Sequence, residues 1–148
     1  MPLCDYFSAA DDQTAVAVLL APGGPGEGGL DVVCLKNLDP VVTMARLEAV
    51  MTGCGYDEAC ERPRAGEVLS EPEDGPPFVV ALTDTLSHAL AHASKEELAR
   101  CAEAWSRTDE LRRFGLGGEV TADVLEALAG LARRALPAGR RLYCWWAL

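Results

Sequence analysis

Residues 78–92 read FVVALTDTLSHALAH, and the fold class turns on this stretch. Phe78–Leu82 is an uninterrupted apolar run of strand length, as expected of a strand covered on both faces. Thr83 can cap the helix that follows, because its hydroxyl accepts from an amide that the first turn leaves free. In the helix Asp84–Ala93, Leu86 and Leu90 share the core side, whereas Asp84, His88 and His92 stand four apart on another face. A buried strand feeding an amphipathic helix points to a sheet packed by helices.

Toward the C-terminus, Ser94 opens another helix, with a capping box to Glu97. Leu98, Cys101, Ala102 and Trp105 share its inner face, and Glu96–Arg100 and Glu103–Arg107 are spaced as surface ion pairs. Thr121 is expected to cap the last helix, with Val124, Leu128, Leu131 and Ala135 inward and Arg133 and Arg134 at the negative end of its dipole. That helix stops at Pro137-Ala138-Gly139. Arg141–Leu148 is the final strand, with Leu142, Cys144, Trp146 and Leu148 on one side and Tyr143 and Trp145 on the other. Burying such side chains is worth about 2 kcal/mol each, so the strand is expected inside the sheet.

Toward the N-terminus, Leu3–Phe7 reads as a strand, Ser8 to Asp12 as helix-start chemistry and Thr14–Leu20 as a short helix. Ala21–Gly29 is a Gly-rich stretch expected to be a mobile loop. It is no phosphate cradle, since no Lys-Ser/Thr pair follows its glycines and Glu27 would repel phosphate. Asp31–Lys36 is a second strand, whose run Val32-Val33-Cys34-Leu35 suggests cover on both faces. Asp39 is the expected N-cap of a helix with Pro40 at its first position, Val41, Met44, Leu47 and Met51 at helical spacing, and Gly53 as its stop. Cys54 to Pro77 reads as a surface excursion with one short helix, Tyr56–Cys60. The expected fold is a single α+β (mixed α/β) domain over residues 1–148, a small sheet of about four strands packed by helices, with the C-terminal strand inserted.

The chain has 148 residues, 49% of them apolar, enough to bury a core without a disulfide or metal staple. No apolar run is long enough to span a membrane. The start Met1-Pro2-Leu3-Cys4-Asp5 lacks the basic and apolar regions of a secretory signal, so a cytoplasmic protein is expected. The six cysteines form no Cys-x-x-Cys pair and are expected as reduced thiols, with Cys4, Cys34, Cys101 and Cys144 acting as small apolar residues. The absence of isoleucine, with only two lysines and one asparagine, suits a bacterial genome rich in G and C. Residues 1–75 hold four basic and fourteen acidic side chains, while residues 76–148 hold nine of each, so the whole net charge of −10 lies in the first half. That field repels a phosphate backbone and disfavours nucleic acid, and it attracts a basic protein surface.

Three constellations carry possible chemistry. His88 and His92, with Asp84, have the spacing of helix-borne metal ligands, but an ordinary polar helix face places them equally well, and no further Cys/His pair completes a set. If the first three strands run parallel, their C-terminal ends bring Asp11, Asp12, Asn37, Asp39, Thr83, Asp84 and His88 to one edge, where open sheets bind ligands. Asp39, Asp84 and His88 are then the candidate catalytic residues, although helix N-caps account for the same acids. Tyr143-Cys144-Trp145-Trp146 is the densest aromatic cluster. Trp145 is a candidate ligand or interface anchor if exposed.

The chain resembles the YfbM-like bacterial family of unknown function. The resemblance lies in Leu3–Phe7 followed by a helix, Leu38-Asp39 leading into a helix that ends Met51-Thr52-Gly53, Phe78–Leu82 with Thr83, a helix pair, a last helix with Arg133-Arg134, and a terminal apolar strand. It implies an α+β domain and no assigned reaction or site residues. The functional expectation is a binding or regulatory protein whose acidic half meets a basic protein partner, with no cofactor. The alternative is an enzyme or small-ligand binder at the strand ends, and a third reading places a metal at His88 and His92.

Overall fold

Alternation along the last strand explains why the sheet has two apolar faces. In the computed structural model, which describes residues 2–20 and 23–148, β4 (Arg141–Ala147) sends Leu142, Cys144 and Trp146 to one hydrophobic cluster and Tyr143 and Trp145 to another. It pairs with β1 (Leu3–Ala9) and β3 (Phe78–Ala81), and β1 also pairs with β2 (Val32–Lys36), giving one sheet in the order β2-β1-β4-β3. The C-terminal strand is inserted, as its aromatic content predicts. Every pairing is antiparallel.

The larger core lies where α2 (Val42–Thr52), α4 (Asp84–His92), α5 (Lys95–Ser106) and α7 (Gly118–Ala135) cover one face of the sheet. Trp105 is fully buried there, and its indole N–H donates to the Thr43 carbonyl at 3.1 Å, tying α5 to α2. Buried Tyr6 donates its hydroxyl to the Leu38 carbonyl at 2.5 Å, which brings the chain leaving β2 back over that face. The opposite face is capped by α1 (Asp12–Val16) and the 3-10 turn Ala17–Leu20, with Phe7 and Tyr143 stacked beneath at 5.7 Å. Two short helices, α3 (Tyr56–Glu61) and α6 (Asp109–Arg113), complete the molecule.

Several local expectations are corrected. β2 is an edge strand, covered on one face at Val33 and Leu35 and on the other only at Val32, so Cys34 is exposed; Cys4, Cys101 and Cys144 are buried, and all six thiols are free. α7 starts at Gly118, and Thr121 lies within its first turn, where its hydroxyl donates back to the Gly117 carbonyl at 2.8 Å. A threonine hydroxyl serves either role, and here the helix has already begun after Gly117, whose backbone is extended. Leu125 is buried where Val124 was expected, because Val124 is only partly covered. α2 begins two residues after Pro40, yet Asp39 still caps it, accepting from the amides of Val41 at 3.0 Å and Val42 at 2.6 Å. Within the stretch Ala21–Gly29, residues 21 and 22 lie outside the described residues. Pro25–Gly28 form an ordered 3-10 turn, and buried Gly24 lies so close to Trp145 that a Cβ there would stand 3.1 Å from the indole.

Candidate functional site

The antiparallel sheet separates the residues that parallel strands would have gathered. β1 and β3 point the same way, so Asp11, Asp12, Thr83 and Asp84 emerge at one end of the sheet. β2 points the other way: Lys36 pairs with Leu3, and the Asn37 amide donates to the Pro2 carbonyl at the opposite end. Asn37 holds a left-handed backbone (φ 66°) that turns the chain toward α2. The expected single concavity is therefore not assembled. Among the described residues, no hydrogen bond or ion pair joins any two of Asp39, Asp84 and His88.

Each predicted residue has a local occupation. Asp11 caps α1, accepting from the Thr14 amide at 2.8 Å, and that bond holds its carboxyl below the usual carboxylate range. Asp84 pairs with Arg141 at 3.3 Å. Thr83 caps α4 by accepting from the Leu86 amide at 3.0 Å. Trp145 is half-buried under Gly24 and is no exposed anchor. His88 and His92 are exposed with parallel rings 5.8 Å apart, and His92 Nδ1 lies 2.9 Å from the His88 carbonyl. Among the described residues, no group of three or more His, Cys, Asp or Glu side chains is placed to hold a metal ion.

Two networks around arginines escaped the sequence reading. Glu48, on the inner side of α2, is 2% exposed. It accepts from the Thr83 hydroxyl at 2.5 Å, the Thr85 hydroxyl at 2.6 Å and Arg62 at 2.6 Å. A buried carboxylate is tolerable only with such full partnering. A cavity of about 20 Å³ borders Glu48 and Thr83, room for one water molecule and no ligand. The second network is Arg64, which grips Asp12 through two bonds of 2.9 and 3.1 Å while the Tyr143 hydroxyl donates to the same carboxylate at 2.7 Å. Arg64 holds the Asp12 carboxyl below its ordinary range, and burial, then Asp12, pushes the Tyr143 phenol up to about 12. The only sequence signal for Glu48 was a charge within an apolar helical stripe; nothing marked Arg64.

Both networks shape the segment 56–77. Its two basic side chains are both paired, Arg62 with buried Glu48 and exposed Glu58, Arg64 with Asp12. Its acids, Asp57, Glu58, Glu61, Glu67, Glu71, Glu73 and Asp74, are all exposed. Among the described residues, only Glu58 of these is in an ion pair. The segment is fastened to the edge of β3 by Leu69 N–H to the Val79 carbonyl and Ala81 N–H to the Glu67 carbonyl, both 2.8 Å. It thus covers an otherwise open strand edge and carries seven exposed acids of which, among the described residues, only Glu58 is in an ion pair.

A separate cleft of about 400 Å³ opens between α5 and the C-terminal turns of α2 and α4. Its lining includes Met51, His92, Arg100 and Cys101. The Glu96–Arg100 pair expected from spacing is not formed, whereas Glu103–Arg107 closes at 2.5 Å. Comparison of the chain with protein-family models, with curated proteins and with solved structures finds no match. Among the described residues, no helix is long and apolar enough to cross a membrane.

Proposed function

We propose that this chain is a binding or regulatory protein whose acidic side receives a basic protein partner; its YfbM-like membership and cytoplasmic location belong to the same proposal. The observation that supports it is the orientation of charge in segment 56–77. Arg62 and Arg64 are engaged with Glu48, Glu58 and Asp12, so among the described residues Glu58 alone of the segment's seven exposed acids is neutralised by an ion pair. Like charges held on one surface repel each other and are relieved by a cationic surface, which also speeds encounter at low salt. A strand-end enzyme using Asp39, Asp84 and His88 has less support, because Asp39 serves the α2 amides and Asp84 serves Arg141.

The test is capture from native lysate at low ionic strength, using wild type beside a variant with Glu71→Lys, Glu73→Lys and Asp74→Lys. The expected result is a basic protein retained by wild type, released as salt rises to about 0.3 M where the Debye length falls to roughly 6 Å, and lost with the variant. No salt-sensitive partner, or equal capture by the variant, overturns the proposal.

A further inference from the structure

We infer that the cleft between α2, α4 and α5 binds a small organic monocarboxylate with a short apolar body. Its volume of about 400 Å³ falls in the range of small-molecule sites, roughly 300–1,000 Å³. Val50 and Met51 of α2, Ala89 of α4 and Ala104 of α5 supply apolar wall. Cys101 is 7% exposed and burial pushes its thiol up, so it adds a neutral surface and no thiolate.

The polar groups are few and specific. Arg100 lines the cleft and, among the described residues, has no carboxylate within ion-pairing distance, although Glu96 and Glu97 stand one turn before it. Glu97 is engaged in the capping box, its carboxylate accepting from the Ser94 amide at 3.3 Å. A guanidinium without an internal partner is suited to grip a carboxylate through two parallel bonds. His92 has its orientation fixed: Nδ1 faces the His88 carbonyl at 2.9 Å, and a carbonyl only accepts. With Nδ1 donating there, Nε2 of the neutral ring is an acceptor and offers a carboxylate no bond, so Arg100 is the group that holds the anion. Glu97 also lines the cleft, so a dianion such as phosphate meets about twice the repulsion that a single carboxylate does. The site lies on different residues from the acidic segment and does not depend on it.

The probe is hexanoate, titrated into the ¹⁵N-labelled full chain and followed by amide chemical shifts. Saturable shifts confined to the amides of residues 50–51, 89–93 and 97–104 are expected. Arg100→Gln, whose fold is checked in the same spectra, should weaken hexanoate about tenfold, the scale of a charge-assisted contact. The neutral hexanamide should bind wild type about tenfold more weakly. Absence of saturable shifts, equal affinity for hexanoate and hexanamide, or an Arg100→Gln titration identical to wild type would overturn the inference.

Discussion

At the scale of single residues, the polar substitutions that cost most are those that leave a buried partner unpaired. Glu48 is the clearest. Glu48→Ala strands two hydroxyls and Arg62 without their shared acceptor, and an expected loss of about 3 kcal/mol follows. Urea unfolding should show a lower midpoint with unchanged slope. Asp12 makes a pH-dependent contribution. Arg64 lowers its folded pKa, so the contribution is complete above the unfolded value of about 3.9 and is lost as pH falls through the folded value. The stability gap between wild type and Asp12→Asn should be widest at pH 5 and above and should narrow progressively as pH falls below about 4. At the alkaline end the sign reverses. All three tyrosines are raised, Tyr143 to about 12 and Tyr6 well above the ordinary value, chiefly by burial. That stabilisation is intact below about pH 10 and lost as pH climbs through the folded values, so phenolate absorbance near 295 nm should lag that of the unfolded chain. These residues were poorly legible in sequence. Arg64 occupies a left-handed backbone (φ 74°) and meets a partner 52 positions away, and neither fact leaves a local pattern.

Elements were legible where their chemistry is compressed into a few neighbouring residues. Ser94 and Glu97 form the reciprocal capping box their spacing predicts, and Thr83 caps α4 directly after β3. Ser94→Ala should cost about 1 kcal/mol and loosen the first turn of α5, seen as faster amide exchange over residues 95–98. Gly53 ends α2 in the left-handed region (φ 72°). Gly53→Ala should cost roughly 1 kcal/mol, readable as a lower melting temperature. Where two local rules competed, position alone could not choose: Thr121 carries a capping side chain but bonds backward inside α7. β2 was misread for another reason. An apolar run suits a central strand and a half-covered edge strand alike, and its place is decided by β1, about thirty residues earlier.

For the whole molecule, strand order is what the sequence does not announce. The longer helices and most of their inward faces follow from periodicity, although α6 was not foreseen, but nothing local says that residues 3–9 lie between residues 32–36 and 141–147. That arrangement overturns the expected parallel edge and disperses its residues, leaving charge placement as the feature that speaks to function. The central pair β1 and β4 also joins segments more than 130 positions apart, with Leu3 opposite Ala147. Tension applied through Leu3 and Ala147 would open that ribbon like a zipper, one rung after another, with no row of bonds sharing the load. Optical-trap pulling from these two points should therefore rupture the domain at much lower force than pulling along the strands. The same closeness makes a short bridge between residues 3 and 147, with new termini cut elsewhere, a topologically modest rearrangement.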